Sequence, residues 1–177
     1  MNRIGGWLSG ILSRGALGVF VLAGFLLCRC AQGPEDLAFV IVESGDGVPG
    51  NACAGKDPNL QVIATPDEMR ALGLTEQLCT LNYRRSFALV VCRVQIGCAN
   101  PSFRPEVEQV IRHEQGVHVK VRVPDVVKIA PVEGCEQVIS HPYQIVAVSK
   151  GGRWGQTMHF ALEVDGQESV ERDHFIP

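Results

Sequence analysis

Valines recur at every second position from Val117 through Val119 and Val121 to Val123, with His118, Lys120 and Arg122 between them. A side-chain period of two places the valines on one face and the charged residues on the other, the pattern of a half-buried strand. Just upstream, Glu106–His113 is a second β-rich run, and Glu114-Gln115-Gly116 separates the two, which predicts an antiparallel hairpin. A two-residue loop at Glu114-Gln115 would set Ile111 against His118, an apolar residue on the polar face. A three-residue loop closing at Gly116 sets Ile111 by Val119, Val107 by Val123 and Glu108 by Arg122. Glycine also suits a left-handed conformation at the last loop position, so the second register is the expected one.

Other segments follow the same logic. Leu37–Glu43 (LAFVIVE) reads as the first strand and Ser44–Leu60, rich in Gly, Asp, Pro and Asn, as a long loop. Gln61–Ala64 reads as a short strand. Thr65-Pro66-Asp67-Glu68 then supplies an N-cap, a proline at the first helical position and an acid three residues after the cap. That opens a short helix with Met69 and Leu72 on its apolar side, ended by Gly73. Phe87–Ile96 is apolar nearly throughout, as a central strand covered on both faces must be. Gln137–Val148 is a further β segment with Pro142 marking a bulge or an edge. Thr157–Val164 alternates again, and Asp165-Gly166 predicts a tight hairpin into Ser169–Arg172. The expectation is a mainly β fold with one short helix: a single antiparallel β-sandwich or β-roll-like domain, about seven or eight strands, after an N-terminal hydrophobic targeting segment.

That targeting segment is read from residues 1–30. After Arg3 and Arg14, Gly15–Cys28 carries no charge. A basic region followed by such an apolar run is the composition of a secretory signal. Fourteen helical residues reach roughly 21 Å, short of the ~30 Å hydrocarbon layer. Extending the run backwards buries Arg14, so residues 1–30 read as a signal peptide or a membrane anchor. A lipidation box asks for a small residue before its cysteine, whereas Leu27 precedes Cys28 and Arg29 precedes Cys30. The localisation expected is extracytoplasmic, secreted or anchored through this segment.

Residues 1–30 hold three arginines and no acid, so the remainder has 13 basic against 19 acidic residues, a net of −6. Such a balance leaves no footprint for nucleic acid or anionic lipid, and membrane contact is expected only through the N-terminal segment. Beyond that segment lie Cys53, Cys79, Cys92, Cys98 and Cys135, with no Cys-x-x-Cys pair. Scattered cysteines in an exported domain favour disulfides over zinc, and an odd number leaves one unpaired within the chain.

Signals for chemistry are thin. Gly50–Lys56 matches the first seven positions of a phosphate-binding loop, but the hydroxyl-bearing eighth position is Asp57, Pro58 follows, and no helix start is in place to hold phosphates. His113, His118, His141, His159 and His174 show no i, i+4 spacing of a zinc protease. No Gly-x-Ser-x-Gly elbow occurs. Arg84-Arg85 before the central strand could bind an anion, though solvated strand flanks have the same composition. In Ser149–Gly155 (SKGGRWG), Arg153 and Trp154 are the candidate partner contact, a residue mix enriched at interaction hot spots; the competing reading folds Trp154 back onto the core. No catalytic residue, metal ligand or cofactor is assigned.

Gly134–Val148 (GCEQVISHPYQIVAV) resembles the closing strand of the PrcB C-terminal domain family, with its Pro-Tyr-x-hydrophobic-Val core after a Gly-rich turn. The strand-and-capped-helix unit Gln61–Leu72, the strand Phe87–Ile96 and the hairpin strand Val117–Val123 stand in the same order, so the resemblance covers roughly residues 61–150. Where the family carries a Gly-Gly-Tyr stretch after the central strand, this chain has Cys98–Arg104 (CANPSFR). The organisation expected is residues 1–30 as targeting segment, 31–60 as first strand and long loop, and 61–177 as the PrcB-like β domain. The resemblance implies an exported, non-catalytic accessory domain that associates with another envelope or secreted protein. It also implies neighbouring strands that would bring Cys98 and Cys135 together as a disulfide. The alternatives are a small secreted enzyme or metal-binding protein using the histidines, and a structural envelope protein without binding activity.

Overall fold

The computed structural model describes residues 33–47, 50–53, 58–93, 103–123 and 141–177. In the strand Gly116–Arg122, Val117, Val119 and Val121 are buried while His118 and Lys120 are half-buried and Arg122 exposed, the alternation the sequence predicts. Among the described residues the elements are β1 (Glu35–Asp36), β2 (Phe39–Gly45), β3 (Asn59–Ile63), helices α1 (Pro66–Ala71) and α2 (Thr75–Leu78), β4 (Ser86–Cys92), β5 (Glu106–Arg112), β6 (Gly116–Arg122), β7 (Tyr143–Ser149), β8 (Gln156–Val164) and β9 (Gln167–Ile176). They form a five-stranded sheet, β1-β5-β6-β8-β9, and a four-stranded sheet, β2-β7-β4-β3.

The two sheets pack face to face. Val107, Val110, Val117, Val119, Val121, Phe160 and Leu162 of the first meet Leu60, Val62, Phe87, Leu89, Val91, Val146 and Val148 of the second in one buried cluster. The four-stranded sheet is covered on its other face as well, where Ile63, Ala88, Val90, Tyr143 and Ile145 pack under Met69, Leu74 and Leu78. Double coverage is the reason β4 and β7 read as unbroken apolar runs while β6 alternates. The mainly β, two-layer fold expected from the sequence is therefore present.

Local signals behave as their chemistry requires. Thr65 caps α1, its hydroxyl accepting from the Glu68 N–H while the Glu68 carboxylate accepts from the N–H groups of Thr65 (3.1 Å) and Ala64 (2.7 Å). Asp165 and Gly166 both take positive φ, 49° and 82°, as the β8–β9 hairpin needs.

Two expectations are corrected. The β5–β6 hairpin uses the two-residue loop: the His113 N–H donates to the Gly116 carbonyl (2.7 Å) and Ile111 pairs with His118, not Val119. A register shift between Val107 and Gln109 makes this tolerable: Val110 already stands opposite Val119, and the extra residue brings Val107 opposite Val121 in place of Arg122. Ile111 is left half-buried on the outer face, and Glu106 in place of Glu108 stands opposite Arg122. Gly116 is not among the residues with positive φ. A Cβ there would lie 3.3 Å from the His159 carbonyl oxygen of β8, so the glycine serves close strand approach. The sheets are also not wholly antiparallel. β7, between β6 and β8 in sequence, belongs to the other sheet and reverses the chain once, so β8 re-enters parallel to β6. β1 pairs with β5, β2 with β7 and β3 with β4, and Gln32–Pro177 is one compact unit. β1 and α2 have no counterpart in the sequence reading.

Candidate partner-binding surface

Trp154 is half-buried, its ring folded onto the core. Its ring meets Phe87 edge-to-face at 5.4 Å, its indole N–H donates to the Gly151 carbonyl (2.6 Å), and the Arg112 guanidinium lies 4.3 Å from its ring centroid. Arg112 is the organiser of this loop. It points inward from β5, 8% exposed, and donates to the carbonyls of Gly151 (2.6 Å) and Arg153, with Glu35 of β1 3.8 Å away. A buried guanidinium needs acceptors for its donors, and the bent 150–155 segment presents them. The sequence offered one hint, a charge at Arg112 on the inward-facing parity of a β run. Arg153 itself is exposed, with its carbonyl committed to Arg112. Cys98 and Cys135, the pair expected from the family resemblance, lie outside the described residues.

A different pair forms. Cys53 and Cys92 are joined in a disulfide across 39 residues of sequence. It pins the loop around Gly50–Cys53 to the end of β4, assisted by the Asn51 N–H donating to the Leu72 carbonyl (2.9 Å). The front half of the phosphate-loop look-alike is thus occupied in holding α1, and Gly50 sits at φ 55° where a Cβ would collide with the Leu72 oxygen at 1.9 Å. Cys79 is free and exposed. A disulfide fits an oxidising, extracytoplasmic setting.

The histidines separate into small groups. His113 and His118 stack edge-to-face at 4.7 Å beside the hairpin turn. His159 Nδ1 lies 2.8 Å from Asp173 and its Nε2 3.9 Å from Glu171, on the outer face of the five-stranded sheet. His174 lies 3.2 Å from Glu68, at the start of α1. Among the described residues no group of three or more His, Cys, Asp or Glu is placed to hold a metal ion.

Among the described residues, one apolar surface lacks a cover. β2 is the end strand of the four-stranded sheet, so among the described residues one side of its backbone has no ladder partner. Phe39 turns inward to the core, but Val40, Ile41 and Val42 are 65%, 57% and 39% exposed. A register shift between Ile41 and Glu43 sits in the middle of this run. Beyond it the strand is firmly held: Tyr143 donates its hydroxyl to Glu43, and Arg104 makes a two-pronged contact with Asp46. Burial, followed by Glu43, pushes the Tyr143 phenol up to about 12. A Cβ on Gly45 would lie 2.7 Å from the Tyr143 ring, so glycine lets the phenol cross the strand. The sequence identified Leu37–Glu43 as a strand; which side of it would be left bare depends on strand order, which local pattern does not encode. No family model, curated protein or solved structure matches this chain.

Proposed function

We propose that the chain is a non-catalytic accessory module outside the cytoplasm that takes up an extended segment of another envelope or secreted protein along β2. The observation that carries this reading is the exposed Val40-Ile41-Val42 run on an open sheet edge. Natural edge strands are blunted by Lys, Pro, inward charges or bulges; these three positions carry no Lys, Pro or charge, and the single bulge lies at their far end, between Ile41 and Glu43. An added strand would draw affinity from main-chain hydrogen bonds and specificity from the alternating side chains. The disulfide and the N-terminal apolar run support the compartment, and the PrcB resemblance supports an accessory role.

A photo-crosslinking residue placed at Val40 in the full chain, in its native envelope, tests the reading. A discrete crosslinked partner is expected at Val40 and not at Lys120, on the outer face of the other sheet. Ile41→Asp should abolish that crosslink while leaving the melting temperature close to wild type. Partner capture at Lys120 with none at Val40 would move the binding surface elsewhere.

A further inference from the structure

The two-residue turn between β5 and β6 brings two imidazoles together. Arg112–Val117 is the last paired rung of the ladder, and beyond it the His113 N–H donates to the Gly116 carbonyl (2.7 Å). Arg112 and Val117 are buried on the inner face, so a period of two puts His113, Gly116 and His118 on the outer face of the five-stranded sheet. His113 is exposed and His118 half-buried. They stand diagonally across the two strands, with ring centroids 4.7 Å apart. Neither ring has another hydrogen bond or ion pair among the described residues. Gly116 adds no side chain to the corner they share, and among the described residues a Cβ there would meet only the His159 carbonyl oxygen within 4 Å. On the other side of Gly116 stands His159 of β8, whose Nδ1 is held by Asp173 (2.8 Å).

We propose that His113 and His118 together chelate a d-block dication of the zinc or copper class in the open corner beside Gly116. Imidazole nitrogen is a ligand that such ions select, whereas magnesium and calcium select oxygen. The spacing is that of two ligands on one ion. With a Zn–N bond of about 2.0–2.1 Å and the ring centre about 1.1 Å farther out, two cis imidazoles have centroids roughly 4.5–5.2 Å apart. The 4.7 Å of this pair lies inside that range. Because the rings have only each other as partners, ligation breaks no hydrogen bond or ion pair. Two protein nitrogens leave the remaining positions to water, so the site exchanges its ion with solvent, unlike a closed four-ligand structural site. β5 and β6 lie in the sheet opposite the one that holds β2, and the proposal goes beyond segment binding at β2 without depending on it.

The full chain solubilised in detergent supplies the test, with Zn²⁺ as the ion because it is redox-silent towards the exposed Cys79 thiol. Free Zn²⁺ is set by a metal buffer, and the modification of each histidine by diethyl pyrocarbonate is mapped by mass spectrometry. Rising Zn²⁺ should slow modification of His113 and His118 together, in one saturable step, and leave His141 and His159 unchanged. Mg²⁺ at the same concentrations should protect neither. His118→Gln should raise the Zn²⁺ concentration that half-protects His113 by about tenfold or more, because a lone imidazole loses the chelate. If that variant also changes the metal-free rates at His141 and His159, it is misfolded, and the comparison of histidines within the unaltered chain decides. Protection of one ring of the pair without the other, equal protection by Mg²⁺, or none at millimolar Zn²⁺ overturns the proposal. Protection centred on His159 that survives His118→Gln also overturns it, since the ion then sits at the His159–Asp173 pair.

Discussion

Removing the Cys53–Cys92 bridge should be the largest single loss of stability available without touching the inter-sheet core. The bridge closes a loop with a sequence separation of 39. Chain-entropy arithmetic for a loop of that length removes about 13 cal/mol/K from the unfolded ensemble, or about 4 kcal/mol near room temperature. The native geometry adds a second contribution for one partner alone: Cys92 is 1% exposed and packed among Ile63, Val90 and Ile145, while Cys53 is only half-buried. Cys53→Ala should therefore cost about 4 kcal/mol and Cys92→Ala about 1 kcal/mol more, for the atoms lost from a packed site. With a urea dependence of roughly 2 kcal/mol/M, the Cys53→Ala midpoint moves down by about 2 M. Cys79→Ser, at an exposed free thiol, should stay within about 0.5 kcal/mol of wild type. Equilibrium urea unfolding, with mass mapping of the bridged peptide, reads both. A Cys53→Ala variant less than about 1 kcal/mol below wild type, or Cys53 found bridged to another cysteine, would refute the reasoning.

Three other outcomes are expected. Arg112→Met keeps the apolar stem but leaves the Arg153 carbonyl without its donor and the Gly151 carbonyl with the Trp154 indole alone, and should cost about 2–3 kcal/mol, with the Trp154 fluorescence shifting red. Val121→Ala should cost about 2 kcal/mol by thermal unfolding while Glu108→Ala costs under about 1, because the valine is 2% exposed and Glu108 is an exposed bulge residue 3.5 Å from Arg122. Tyr83 and Tyr143 are both pushed up to about 12 from the usual value near 10, chiefly by burial. The folded state thus keeps protons that the unfolded chain releases; the contribution is complete below about pH 10 and lost as pH rises toward 12, which urea unfolding across that range should show and Tyr143→Phe should diminish.

Much of this protein is written in local pattern. The period-two valines of β6, the capped start of α1 and the Asp165-Gly166 turn are short-range features, decided by sterics and hydrogen bonding within a few residues, and each takes the form its residues dictate. The continuous apolar runs of β4 and β7 likewise announce strands covered on both faces, although the material covering them, helices on one side and a second sheet on the other, is not local information. The β5–β6 register shows where pattern fails. Matching apolar faces favoured a three-residue loop, because a bulge that corrects the pairing halfway along a strand is invisible until the strands are side by side.

What only the tertiary structure decided is which groups become neighbours across long separations. Cys53 finds Cys92 because the 50–53 loop crosses the end of β4. Trp154, a surface candidate by composition, is drawn onto Phe87 because Arg112 of another strand holds its loop inward. Val40, Ile41 and Val42 belong to an ordinary apolar strand in sequence, and become a bare edge because strand order places β2 last in its sheet. Backbone conformation follows from short-range forces, whereas exposure, pairing and local charge follow from the order in which strands pack, and that order is settled by burying both sheets' apolar faces at once.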